Sequence, residues 1–223
     1  DLEITLSLQH FKNELTYDSY INYRENNLKG PPDSLKQSRT SVLSSHIEYA
    51  HTKTFKHTII TGVSKNFSTF LEPSNKNSYN TTINFAQYKS TFSLHQNHTL
   101  NLIGDWRQDN YESPFQKNAT LNLLGLGTFY TFNKPNAFRI EIGGRFSQYR
   151  PKTRTFNYSL GLRLPINNNF HIFGFLKSGY RPPSVTSLFG SNFNVANPSL
   201  KPEKSQSFEI GYTYEPMFQN MPL

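Results

Sequence analysis

Apolar and polar residues alternate along this chain with a period of two, which is the mark of β-strands greasy on one face only. The clearest run sets Phe156, Tyr158, Leu160, Leu162 and Leu164 on one side, with Thr155, Asn157, Ser159, Gly161 and Arg163 on the other. Phe138, Ile140, Ile142, Gly144 and Phe146 repeat it against Arg139, Glu141, Gly143, Arg145 and Ser147. Leu2, Ile4, Leu6 and Leu8 open the chain in the same way. Leu100, Leu102, Gly104 and Trp106 alternate with Asn101, Ile103, Asp105 and Arg107, and Phe208, Ile210, Tyr212 and Tyr214 form a last example.

Weaker alternation predicts strands near 39–51, 56–71, 79–94, 118–132 and 170–181. Residues 39–51 also fit helical spacing through Leu43, Ile47 and Ala50, but every neighbour is a strand. A further strand is predicted near 14–25, where Leu15, Tyr17, Ile21 and Tyr23 carry the opposite parity to Leu2–Leu8. A turn at Phe11-Lys12-Asn13-Glu14 accounts for that switch; a bulge in one long strand is the alternative. The tally is about eleven strands. Short connections fall near 11–14, 52–55, 95–97, 133–136 and 165–169, and mostly longer ones near 26–38, 72–78, 112–117, 150–154 and 182–204. Outer-membrane barrels show this alternation, with short turns on one rim and long loops on the other, so odd-numbered strands are expected to run toward the short turns.

Composition first argues against a membrane protein and then for one. Mean hydropathy is −0.63, and no run approaches the roughly 20 apolar residues of a spanning helix. Yet 15% of residues are aromatic, 19 Phe and 13 Tyr among them, while only 35% are hydrophobic. A disordered chain would lack these rings, and a soluble domain with so few aliphatics would be marginal. A transmembrane β-barrel needs both, because only the lipid-facing half of each strand is apolar and aromatics ring the interfaces. The formal charge of +8 is dispersed, with no basic stripe on any one element, so nucleic acid is not expected as a partner. Absence of cysteine excludes disulfides, thiolate metal sites and cysteine nucleophiles.

An odd strand number does not close simply on itself, no initiator Met or signal peptide is seen, and Met221-Pro222-Leu223 is a poor closing strand. The chain is therefore expected to be part of a barrel, with residues 1–216 in the wall and 217–223 a tail.

Residues 179–212, GYRPPSVTSLFGSNFNVANPSLKPEKSQSFEIGY, resemble the signature of TonB-dependent outer-membrane receptors: an aromatic, a basic residue and proline end a strand, a long loop follows, and Asn-Pro-x-Leu-x-Pro-Glu-x-Ser opens the return strand. The matching positions are Tyr180, Arg181, Pro182, Pro183, Ser184, Leu188, Phe189 and Gly190, then Asn197, Pro198, Leu200, Pro202, Glu203, Lys204 and Ser205, then Glu209 and Gly211. Residues 8–24 and 57–70 resemble receptors of the iron-regulated type more loosely. The resemblance implies a 22-stranded barrel around an N-terminal plug, energised through TonB, that takes up an iron chelate such as a siderophore or haem, with cobalamin or nickel as alternative cargo. No stretch reads as a plug or a TonB-contact segment, so this chain is expected to supply about half the wall. A structural or adhesive outer-membrane barrel without transport is the reading from another class.

Candidate chemistry is sparse. The prolines at 182–183 withdraw backbone donors and so should end the preceding strand; Asn197-Pro198 and Lys201-Pro202 should start the return in extended geometry, as a loop-anchoring device. Alternation turns Glu48, Asp105, Arg107, Arg139, Glu141, Arg145, Arg163 and Glu209 toward the lumen, to pair across strands or to contact a plug. Arg150, Lys152 and Arg154 share a loop at the long-loop rim beside Arg181, where anionic siderophores or lipopolysaccharide phosphates would be attracted. None of the seven histidines has metal-ligand spacing, so no metal or cofactor is expected. No Gly-x-Ser-x-Gly, phosphate-binding loop or His-Glu-x-x-His occurs, and no nucleophile and base stand out, so an enzyme is not expected.

Overall fold

The structure, a computed structural model, describes residues 1–17, 34–73, 75–114, 119–135, 137–149, 153–167, 169–190 and 195–215. It contains ten strands: β1 (Leu2–Tyr17), β2 (Ser34–Thr52), β3 (Phe55–Glu72), β4 (Asn75–His95), β5 (His98–Glu112), β6 (Ala119–Lys134), β7 (Phe138–Tyr149), β8 (Thr153–Asn167), β9 (Phe170–Arg181) and β10 (Glu203–Tyr214). A short helix, α1 (Val185–Phe189), lies between the last two. All ten strands form a single antiparallel sheet in sequence order, and the ends of that order, β1 and β10, are not joined to each other. This is an open wall of a meander.

The predicted turn at 11–14 does not form. β1 runs unbroken from Leu2 to Tyr17 and pairs with β2 in one register, Leu2 with Tyr49 through Tyr17 with Ser34. There is no bulge either. Leu2, Ile4, Leu6 and Leu8 therefore point to one face, while Phe11, Leu15 and Tyr17 point to the other. The segment 2–10 runs toward the long-loop rim rather than away from it, and odd-numbered strands as observed all do so. The rest of the predicted strand near 14–25 lies outside the described residues. The connection after β3 is also shorter than expected, since β4 begins at Asn75.

Alternation and register together align one outward face along the whole sheet. Leu6, Leu8, Leu43, Ile59, Leu102, Leu126, Ile142, Phe156, Leu160, Phe208 and Ile210 lie on it, all exposed. None of the described residues covers them, and lipid is the medium in which such a surface is stable. A belt of rings closes this band at the short-turn rim. Phe55 stacks on Phe92 with centroids 4.4 Å apart, and Phe132 lies 5.2 Å from Phe138. His57 and His98 join the belt, their Nδ1 atoms each 2.6 Å from a phenol oxygen, of Tyr88 and Tyr130 respectively. Among the described residues no helix is long and apolar enough to cross a membrane.

Nearer the long-loop rim the pattern inverts. There the outward positions are polar, such as Lys12, Arg39, Lys65, Gln108 and Asn122, and the opposite face carries the apolar residues. Tyr79, Tyr111, Ala119, Leu121 and Tyr149 are buried on that inner face. Helix α1 packs onto them. Its Leu188 is 0% exposed and sits with Leu121 and Tyr149, and Val185 and Phe189 reach both that cluster and the one of Tyr79, Tyr111 and Ala119.

Candidate functional site: the inner wall and its roof

At mid-height the inner face is paved by phenylalanine lying over glycine. Gly62 opposes Phe85, Gly143 opposes Phe129, Gly161 opposes Phe175 and Gly211 opposes Phe173 in direct cross-strand pairs. A Cβ at these glycines would fall within 2.5–2.8 Å of the facing ring, so only glycine admits the ring flat against the wall. These pairings were not visible in the sequence, because register between strands is not a local property.

The lumen-facing charges expected from alternation lie on this inner face, and most have partners. Arg145 on β7 reaches over β6 to Asp105 on β5, its Nη1 and Nη2 donating to the two carboxylate oxygens at 2.6 and 2.8 Å. Gly125 makes the crossing feasible: a Cβ there would lie 2.6 Å from Arg145 Cζ and 2.9 Å from Asp105 Oδ1. Arg107 donates through Nε and Nη2 to Asp109 at 2.6 and 2.9 Å, and Arg139 forks onto Glu141. Lys177 donates to Glu209 at 3.1 Å, and His46 lies 3.5 Å from Glu48. Arg163 stands directly opposite Arg139. Of these pairs only Arg145–Asp105 and Lys177–Glu209 join different strands, while the others link i and i+2 of one strand rather than pairing across strands as expected. Exposed pairs of either kind contribute at most about 1 kcal/mol each, so their main effect is to fix a pattern of charge along a wet surface.

The proline-rich segment builds the roof. β9 ends at Arg181, where Pro182 and Pro183 remove the next donors. Ser184 then caps α1, its Oγ accepting from the Ser187 amide at 3.1 Å. Gly190 closes the helix at φ 90°, a conformation that suits glycine, and its carbonyl accepts from the Tyr111 hydroxyl at 3.2 Å. The Asn197 amide donates back to the Ser187 carbonyl at 3.1 Å, and Asn197 Oδ1 accepts from the Ser199 amide at 3.1 Å, turning the chain at Asn197-Pro198. Leu200 and Pro202 follow it into β10. The signature positions Tyr180, Leu188, Phe189 and Gly190 are thus anchors on the inner wall. Glu203, Ser205, Glu209 and Gly211 lie along β10, with Glu203 opposite Arg181 at 3.9 Å.

Helix α1 was not anticipated. Its signal was present: Val185, Leu188 and Phe189 have i, i+3, i+4 spacing behind a serine that follows two prolines.

Arg150 and Lys152 lie outside the described residues. Arg154 is exposed on the outward face of β8, two residues above Phe156, whereas Arg181 ends β9 against Glu203, and no ion pair or hydrogen bond joins the two among the described residues. No group of three or more His, Cys, Asp or Glu side chains suited to a metal ion occurs among the described residues.

Comparison with known proteins gives this wall its relatives. A family model described as TonB dependent receptor-like, beta-barrel, matches residues 2–220. Among solved structures, the siderophore receptor PirA from Acinetobacter baumannii superposes with a TM-score of 0.76 at 13% identity, over 97% of this chain and 39% of that one. The ferric-catecholate import receptor Fiu from E. coli K12 gives 0.73 at 12% identity, over 97% and 47%. The ferric yersiniabactin uptake receptor FyuA from Yersinia pestis gives 0.68 at 16%, over 97% and 40%. The chain thus spans less than half the length of these receptors. No curated protein matches it in sequence.

Proposed function

Since this chain belongs to the TonB dependent receptor-like β-barrel family, whose members are outer-membrane transport receptors rather than enzymes, we propose that it forms part of the wall of a receptor for an iron chelate, a siderophore or haem. The observation that carries the reading is the inner wall: paired charges and flat phenylalanines under a roof of α1 and tyrosines, facing the space a plug would occupy. Such a surface offers hydrogen bonds to a polar domain and a hydrated path beside it. The structural relatives named above are, by their own descriptions, siderophore and ferric-chelate receptors, which favours iron chelates over other cargo.

In this reading the loops at the long-loop rim capture the chelate, with Arg150, Lys152, Arg154 and Arg181 as the candidate cations for an arriving anion. A plug and TonB supply the opening step, and the wall holds the plug through its inward charges, Arg163 among them. The test is uptake of radioactive iron, supplied as catecholate, hydroxamate and haem complexes, by cells with and without the gene. Uptake that needs both the gene and TonB is expected for at least one chelate. Binding of cobalamin together with failure to bind every iron chelate would overturn the assignment.

A further inference from the structure

One ladder of the sheet is incomplete. β8 and β9 pair from Asn167 with Phe170 up to Ser159 with Lys177 and no further, although β8 reaches to Thr153 and β9 to Arg181. Every other ladder runs, at the long-loop rim, to within one residue of the end of a strand. The same two segments do pair on their far sides, Thr153 with Tyr149 of β7 and Arg181 with Glu203 of β10. The wall is therefore slit toward that rim, between residues 153–158 and 178–181.

Backbone groups without a ladder are costly beside lipid, so other groups must satisfy them. At the foot of the slit the Tyr158 amide donates to Ser178 Oγ at 2.8 Å, a side chain taking the place of a carbonyl. Gln206 of β10, opposite Ser178, reaches over β9 and donates through Nε2 to the Tyr158 hydroxyl at 3.2 Å. Higher up, Tyr180 shares the parity of the exposed, lipid-facing Leu176, yet it packs with Leu121, Tyr149 and Leu188 of the inner cluster. Its ring therefore stands in the slit. Side chains, which can rotate, close an opening that a ladder would have sealed.

On the inner wall a recess of about 350 Å³ is lined by Phe129, Gly143, Asn157 and Lys177, and Tyr158 and Ser178 line it too. On the other side Phe156 and Leu160 are exposed in the lipid-facing band. The hydrogen bonds of Tyr158 thus stand between a lumenal recess and the hydrocarbon.

We propose that this slit is a lateral portal for the alkyl chain of an amphiphilic iron chelate. The iron-bearing head rests on the inner wall at Asn157 and at Lys177, an ammonium with donors beyond the one given to Glu209. The chain passes between Tyr158 and Ser178 and lies on Phe156 and Leu160, which keeps its apolar surface out of the hydrated lumen. The inference rests on the iron-chelate reading above and names within it the acylated class.

The test places the complete receptor in lipid nanodiscs and measures binding of ferric catecholate and hydroxamate chelates, each with and without a dodecanoyl chain ending in a diazirine. The chain should tighten binding of at least one chelate about tenfold, and photolysis should label Phe156, Tyr158 and Ser178. Ser178→Ala, which removes the closing bond, should raise that labelling about fivefold. Asn157→Phe, which fills the recess, should abolish the labelling and bring tailed and untailed chelates to equal affinity. Equal affinity in the unaltered receptor would overturn the proposal. So would labels confined to lipid-facing residues elsewhere, such as Leu102 and Leu126, or equal labelling of the slit by the diazirine chain bearing only a carboxylate, which would make it a crevice for bilayer lipid. Failure of every chelate to bind would instead refute the iron-chelate reading, and the portal with it. If Asn157→Phe does not assemble, the map of labels and Ser178→Ala decide.

Discussion

Gly125 is where one missing methyl carries most. The Arg145–Asp105 pair bridges strands on either side of it, and a Cβ would stand within 3 Å of both partners. Gly125→Ala should push the guanidinium off the carboxylate and cost about 1–3 kcal/mol, read as a lower urea midpoint of the membrane-extracted protein. Asp105→Asn should cost less than Asp105→Ala, because the amide still accepts from Arg145. Equal losses would show that the charge, not the hydrogen bond, holds the strands. Part of this was legible beforehand. Period-two alternation alone turned Arg139, Glu141, Arg145 and Arg163 inward. The partner of Arg145 was not, since it lies 40 residues away and is brought near by register across an intervening strand.

At the level of elements, the most instructive case is β1. Its apolar residues change sides after Leu8, which reads in sequence as a turn and is in the structure a change of surroundings. Below that point the outward side meets lipid; above it the outward side meets water and the inner side meets the tyrosine cluster. The same exchange occurs between Trp106 and Tyr111 on β5, between Leu124 and Leu121 on β6, and between Phe146 and Tyr149 on β7. A parity flip without Gly, Pro or an Asn-rich turn is thus a mark of height. Helix α1 is the other element with consequences. Leu188 is wholly buried although it belongs to a loop, so Leu188→Ala should cost about 2–4 kcal/mol and release the roof. Proteolysis between residues 182 and 202 should then accelerate strongly while the strands keep their protection from hydrogen exchange. Unchanged cleavage would mean that the roof is held from elsewhere.

As a whole, the described residues form a sheet of ten strands with two unjoined edges, β1 and β10. Exposed edges invite pairing with another chain. Expressed alone into detergent, this chain should therefore fail to form a heat-modifiable, protease-resistant barrel, and a stable closed species would show that β1 and β10 meet. The architecture was the most legible level, because lipid imposes one rule on every strand and repetition averages out local errors. Eleven strands were expected and ten are seen in the described residues, a difference that comes from β1 alone. The paving of phenylalanine on glycine stayed hidden, since each pair joins residues of different strands.

The apolar stretch of each strand also sets a length. From Phe156 to Leu164 the outward face of β8 is greasy for about nine residues, which at ~3.3 Å per residue and a tilt near 40° spans on the order of 20 Å along the membrane normal. A bilayer core of ~30 Å exceeds this, whereas the bacterial outer membrane is thinner than average. The protein is thus matched to thin bilayers and should insert faster and more completely into short-chain than into long-chain phosphatidylcholine vesicles. In a thicker membrane the lipid would have to thin around it, its two headgroup planes drawn in toward the His57 and His98 belt on one side and the Lys12–Arg39 row on the other.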